Sequence, residues 1–256
     1  LGVDKILDLS NKLEIYDDIP ELLSVSLGAA ETTLINLTAA YASFVNGGNK
    51  ITPNLISRIQ DRRGKTIFNL ENKKCQGCDK FLNDSEKYPI IKYKNNKIFS
   101  EETAYQMTSI LEGVITRGTG KKLKDLKVPL AGKTGTTNNN YDAWFIGFTS
   151  NLVIGVYIGF DNPRTLGRYE TGSKTALPIF KDFVKNALFK EDFKEFKIPE
   201  GIYLTSLNYD SGIKSSLGDK NTIIEALKIE DINSIDNNKL ISINSYDKLI
   251  KYRQFY

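Results

Sequence analysis

Lys133-Thr134-Gly135-Thr136, inside the run KVPLAGKTGTTNNNYDAWFIGF, sets a compact cation, hydroxyls and a residue without a Cβ side by side. A lysine is a hydrated point charge whose pKa shifts readily, so it can hold an anion or take part in proton movement. As a bare triplet, Lys-Thr-Gly is only three common residues in a turn, and its surroundings must give it meaning. The chain contains no histidine. That excludes Ser-His-Asp and Cys-His mechanisms and every His-ligated metal site. A hydrolase or acyltransferase built on this chain must therefore take its base from a lysine or a carboxylate. Gly132-Lys133-Thr134 also imitates the end of a phosphate-binding loop. That motif needs glycine five residues before Gly132, where Lys127 stands, so no phosphate cradle forms.

The elements around this run can be read from periodicity and punctuation. Residues 1–20 read as a short amphipathic helix, with Val3, Ile6, Leu7 and Leu13 apolar, turning at Pro20. Leu34, Leu37, Tyr41 and Phe44 recur at steps of three and four, predicting a helix that Glu31 and Thr32 start and Asn46-Gly47-Gly48 stops. Ser57–Gln60 and Thr66–Leu70 flank Asp61-Arg62-Arg63-Gly64 as a hairpin. Residues 71–96 are Lys- and Asn-rich without period and read as an inserted loop. A second helix runs from Ser100-Glu101-Glu102 to Arg117-Gly118, with Ala104, Met107, Leu111 and Val114 on one side. Strands follow at about 128–137, 143–149 and 152–160, the last two joined by a turn at Ser150-Asn151 short enough to force antiparallel pairing. Alternation puts Trp144 and Phe148 on one face and Phe145 on the other. A closing helix starts at Pro178 with Phe180, Phe183, Val184, Ala187 and Leu188 inward, and residues 191–256 read as a polar tail apart from a strand-like Ile202-Tyr203-Leu204.

Bulk properties narrow the function classes. A chain of 256 residues with 40% hydrophobic content can bury a sizeable core. A net charge of +4, from 35 basic and 31 acidic residues, is too mild to imply nucleic acid. No apolar run is long enough for a membrane span, and "LGVDKILDLSNKL" is not signal-like.

Over distance, the pattern resembles the transpeptidase domain of class A (bifunctional) penicillin-binding proteins. "ETTLINLTAAYASFVNGG" is similar to their "ETTPL-LA-AY--FANGG" segment. The stretch from "GTGKKLK" through "PLAGKTGTTNNNYDAWFIGFTSNLVIGVYIGFD" resembles the family's third active-site motif with its following strands. "GRYETGSKTALPIFKDF" and "KIPEGIYLTSLNYDSG" match its last helix and tail, so the likeness runs from about Ser24 to Ser216. That family acylates a serine in Ser-x-x-Lys and uses a Ser-x-Asn motif, both upstream of Lys-Thr-Gly. Neither occurs before Lys133. The strings at Ser211–Lys214, Ser245–Lys248, Ser206–Asn208 and Ser242–Asn244 all follow it, in turn-rich sequence, and are read as chance. The chain is thus expected to be the later part of an active site whose serine lies on sequence outside these residues, and to be inactive on its own.

The resemblance implies an α+β fold of the serine β-lactamase and transpeptidase group, an antiparallel sheet flanked by helices and incomplete at its N-terminal side. Residues 1–190 would be the later portion of the transpeptidase domain, with 191–256 a C-terminal tail. It further implies a peptidoglycan-cross-linking D,D-transpeptidase, a target of β-lactams, without cofactor or metal. Its partners would be stem peptides ending in D-Ala-D-Ala, with no nucleic acid. A membrane anchor and a glycosyltransferase domain, neither visible here, would hold it at the periplasmic face of the bacterial inner membrane. By family likeness, Lys133 attracts the substrate carboxylate and keeps a neighbouring base neutral, and Thr134 and Thr136 hydrogen-bond that carboxylate. Gly135 would let an extended substrate lie along the strand edge, and the Thr136 N–H would match an oxyanion donor. Asp142 either caps the turn or orients Thr137. Cys75 and Cys78 cannot close a zinc site without further ligands. In an oxidising periplasm a local disulfide between them is expected, with two free thiols the alternative. Rival functions are a carboxypeptidase or β-lactamase-type hydrolase, in which water replaces the acceptor amine, and a non-catalytic scaffold module.

Overall fold

The computed structural model describes residues 2–70, 74–76, 90–92 and 96–232. Helix α1 (Val3–Lys12) is shorter than the pattern suggested. Helix α2 (Leu34–Val45) starts later than Glu31, because the Thr33 hydroxyl accepts from Asn36 N–H and sets the cap there. Strands β1 (Arg58–Gln60) and β2 (Thr66–Asn69) form the expected hairpin. Within the expected inserted loop, β3 (Lys74–Gln76) pairs antiparallel with β4 (Ile90–Lys92). The Cys75–Cys78 linkage lies outside the described residues. Helix α3 (Glu101–Thr116) opens with Ser100 Oγ accepting from Thr103 N–H, and acidic Glu101 and Glu102 occupy its first turn, where the exposed N–H groups favour them.

Three strands make the central sheet: β5 (Ala131–Thr136), β6 (Ala143–Phe148) and β7 (Val153–Ile158), antiparallel in that spatial order. Helix α4 (Ala176–Ala187) covers one face. There Phe145, Val156, Leu177, Phe180 and Val184 share one buried cluster. Phe148, Tyr105, Leu111 and the partly buried Tyr41 and Phe44 form the other cluster, between the opposite face and helices α2 and α3. The result is the expected antiparallel sheet flanked by helices. The aromatic alternation on β6 is also as read, with Phe145 against Phe180 and Phe148 against Tyr41.

Two expectations are corrected. Helix α4 begins at Ala176, before Pro178, since proline is tolerated in a first turn, where N–H groups have no partner inside the helix. Leu177, Phe180 and Val184 point inward, whereas Phe183 is 46% exposed and Ala187 is exposed as well. A step of three from Phe180 turns Phe183 off the stripe that the step of four to Val184 continues. The tail is also more structured than its composition suggested. Strand β8 (Ile202–Asn208) pairs along its whole length with β9 (Thr222–Lys228), ahead of a single turn α5 (Ile229–Ile232). Ile202, Leu204, Ile224 and Ala226 join the α3-side cluster. An Arg117–Glu225 ion pair and Lys228 Nζ donating to Thr103 Oγ1 at 3.0 Å fasten this hairpin to α3.

Candidate active-site strand

Lys133–Thr136 occupies β5, an edge of the central sheet. Thr137 N–H donates to Asp142 C=O at 3.1 Å, on the β6 side. Peptide groups alternate direction along an antiparallel strand. Gly135 and Lys133 therefore join the ladder, while the N–H and C=O of Thr134 and Thr136 point out to the unpaired edge. That edge is where an extended ligand could add as a further strand. The Thr136 N–H is among its outward donors.

Side chains alternate as well. Lys133 and Gly135 share a face with Ile146 and Trp144, their cross-strand partners, while Thr134 and Thr136 share the α4 face with Phe145 and Ala143. The cation and the two hydroxyls thus lie on opposite faces and can converge only across the strand's edge. Lys133 is exposed, and its Nζ curls to that edge and donates to Thr134 C=O at 2.9 Å. The hydroxyls have partners of their own. Thr134 Oγ1 is 2.8 Å from Thr119 Oγ1, and Thr136 Oγ1 accepts from Gly172 N–H at 3.0 Å.

The turn leaving β5 is held by its asparagines. Asn139 and Asn140 have φ of 60° and 53°, the left-handed region that asparagine enters more easily than most residues. Asn140 Nδ2 donates to Gly167 and Arg168 carbonyls at 3.0 and 2.9 Å, and its own carbonyl accepts from Leu166 N–H at 2.8 Å. The chain returning from β7 is thereby tied beside β5 and delivers Gly172 against it. A Cβ on Gly172 would sit 2.5 Å from Gly135 O and 2.4 Å from Trp144 O, so only glycine approaches so closely.

Of the two roles considered for Asp142, the contacts show the one at Thr137, made by its backbone, while its carboxylate turns to β7 rather than capping the turn. Its N–H donates to Thr137 Oγ1 at 2.8 Å, and its carboxylate accepts from Tyr157 O–H at 3.0 Å. Desolvation, then the hydrogen bond and charge of Asp142, raise the Tyr157 pKa above its ordinary value. Sequence reasoning missed Tyr157, Thr119 and Gly172 as neighbours of this strand. No local signal marks these contacts, because each joins residues far apart in the chain. A cavity of about 1270 Å³ lies instead between α3 and the β8–β9 hairpin and reaches the strand only through Leu130, just before β5. Its walls include Ile115, Val128, Phe196 and Ile224, and it holds none of the motif residues. The Ser211–Lys214 string sits in the loop between β8 and β9, and Ser206 lies within β8.

The model of the family "Penicillin binding protein transpeptidase domain" matches residues 17–185. The chain is 37% identical over 256 residues to penicillin-binding protein 1A of Rickettsia felis, covering 98% of this chain and 32% of that protein. Against penicillin-binding protein 1A of Rickettsia prowazekii it is 39% identical over 243 residues, with 94% and 30% covered. The crystal structure of penicillin-binding protein 1A from Haemophilus influenzae superposes with a TM-score of 0.74 at 29% identity, covering 94% of this chain and 38% of that one. The chain belongs to the penicillin-binding protein transpeptidase domain family and has its fold, an α+β serine β-lactamase/transpeptidase arrangement of antiparallel sheet and helices. It spans about a third of the length of the curated relatives it matches.

Proposed function

We propose that this chain carries the substrate-aligning strand of a peptidoglycan-cross-linking D,D-transpeptidase, whose nucleophilic serine lies on a segment N-terminal to Leu1. The observation that supports this most is the β5 edge. An outward Thr136 N–H, two hydroxyls on one face and an ammonium wrapped onto the edge surround a path for an extended peptide. A stem peptide ending in D-Ala-D-Ala would lie along that edge, its terminal carboxylate drawn by Lys133 and hydrogen-bonded by Thr134 and Thr136. The serine oxygen attacks the penultimate carbonyl, and the developing oxyanion takes the Thr136 N–H. Collapse breaks the amide, releases D-alanine with a proton on its amine, and leaves an acyl-serine. A neighbouring stem peptide's amine then attacks, forming the cross-link and returning the proton to serine. β-Lactams would acylate the same serine and stay.

On this reading residues 1–190 are the later portion of the transpeptidase domain and 191–256 follow it as a C-terminal extension. A membrane anchor and a glycosyltransferase domain elsewhere in the parent would hold the site at the periplasmic face of the inner membrane. Among the described residues no helix is long and apolar enough to cross a membrane. A Cys75–Cys78 disulfide remains part of the proposal for that compartment.

The isolated 256-residue chain is expected to form no covalent adduct with a labelled penicillin, whereas the full-length gene product forms one per chain. Intact mass spectrometry reads both, and a stoichiometric adduct on the isolated chain would refute the assignment of the serine. In the full-length protein, Lys133→Ala removes a charge-assisted contact of roughly 1.5–3 kcal/mol. Acylation efficiency is then expected to fall about tenfold to a hundredfold with circular dichroism unchanged. A folded variant acylating at the parent rate would remove β5 from the active site.

A further inference from the structure

The two hydroxyls of β5 are each backed by a different loop, and the loops meet. On one side, Gly118 and Gly120 N–H groups both donate to Val114 C=O, at 3.1 and 2.9 Å, folding the chain back on the last turn of α3. Gly120 is buried, and a Cβ there would stand 2.7 Å from Ile115 Cδ1. This turn has one packed position, and it sets the exposed Thr119 side chain on Thr134 Oγ1 at 2.8 Å. On the other side, Gly172 N–H reaches Thr136 Oγ1 at 3.0 Å, and Thr171 and Ser173 hydroxyls lie 3.0 Å apart. Lys122 Nζ donates to Ser173 C=O at 3.2 Å and joins the two loops.

A hydroxyl that accepts a hydrogen bond becomes a better donor, since chained hydrogen bonds polarise one another. Thr136 already accepts from a backbone N–H, which has no other role to play. Because Thr136 Oγ1 accepts there, its own O–H is left to donate to another group. Among the described residues no backbone N–H donates to Thr134 Oγ1, and Thr119 Oγ1 stands 2.8 Å from it instead. We propose that Thr119 is a positioning residue. It donates into Thr134 Oγ1, so that Thr134 and Thr136 present two parallel hydroxyl protons to one anionic group, the terminal carboxylate of the ligand. This inference rests on the reading of β5 as the ligand-aligning strand and assigns a role to a residue outside the motif.

The test uses the full-length protein, a reporter penicillin with its free carboxylate, and the same penicillin as its methyl ester. One neutral hydrogen bond is worth about two- to tenfold in affinity. Thr119→Val is expected to weaken pre-acylation binding of the carboxylate form by that factor, with the acylation step itself unchanged. The ester should lose less than about twofold, because a neutral acceptor gains less from a polarised donor. Thr119→Ser should restore the parent behaviour, and Thr119→Val/Thr134→Val should lose no more than Thr134→Val alone, as expected for residues acting in series. The proposal is overturned if Thr119→Val weakens both ligands alike, or if the two losses multiply. It also fails if Thr119→Val binds the carboxylate form as the parent does while Thr134→Val is impaired. Should Thr134→Val itself bind as the parent does, the reading of β5 fails first and carries this inference with it.

Discussion

Full-length protein carrying Thr136→Pro is expected to acylate with a reporter β-lactam about a hundredfold to a thousandfold more slowly than the parent. Proline removes the one backbone donor that the strand offers at its outer edge on this residue. A donor aimed at a tetrahedral oxyanion is worth about 2.7–4 kcal/mol. The sheet should survive the change. The Thr136 N–H points away from β6, and proline is accepted at strand edges where no ladder bond is lost. Thr136→Val separates the two contributions of the residue, because it deletes only the hydroxyl that Gly172 N–H donates to. Its loss should be about tenfold, because only the hydroxyl contact to the ligand carboxylate goes while the oxyanion donor stays. Acylation rates measured beside circular dichroism decide the matter. Equal losses for the two variants would show that the N–H does not meet the oxyanion.

The second large effect concerns what holds that strand in place. Phe180 has no exposed surface, and its ring lies 4.8 Å from the Phe145 ring in an edge-on contact. It also rests on Gly147, where a Cβ would come within 2.6 Å of the ring. Phe145 stands directly across from Thr134 in the ladder, so this aromatic pair packs on the same face of the sheet as the β5 hydroxyls and fixes the strand beside them. Phe180→Ala is expected to cost about 3–5 kcal/mol, from lost transfer energy and the cavity left behind. Phe183→Ala, on the same helix but 46% exposed, should stay within about 0.5 kcal/mol. Urea unfolding measures both. A Phe180→Ala loss under about 1 kcal/mol would mean that α4 does not anchor the sheet.

These expectations depend unequally on what could be read before folding. The strands around Lys133, Trp144 and Val156 were legible because alternation and a two-residue turn at Ser150-Asn151 are local properties, independent of what packs nearby. Helix α3 was legible for the same reason, since Ser100, the acidic first turn and Gly118 mark its ends within one stretch of chain. The family could be found from residue types in order, and the family model covering residues 17–185 agrees with that reading. The β9 strand was not legible. Its partner β8 lies across a long polar connection, and the apolar residues Ile224 and Ala226 gain meaning only against α3.

The candidate site divides along the same line. Sequence alone determined that Lys133, Thr134, Gly135 and Thr136 share a strand, and that no histidine chemistry is available. Both follow from covalent order and composition. Tertiary structure decided which edge of that strand is unpaired and that ammonium and hydroxyls approach it from opposite faces. It also brought Thr119 to Thr134, Gly172 to Thr136, and Tyr157 to Asp142. Each of those contacts joins residues 15 or 36 positions apart. Period and propensity describe only neighbours within a turn or a pleat, so they carry no signal for which distant loop returns to a strand. That choice is made when α3 and α4 close over the two faces of the sheet and bury the aromatic side chains between them.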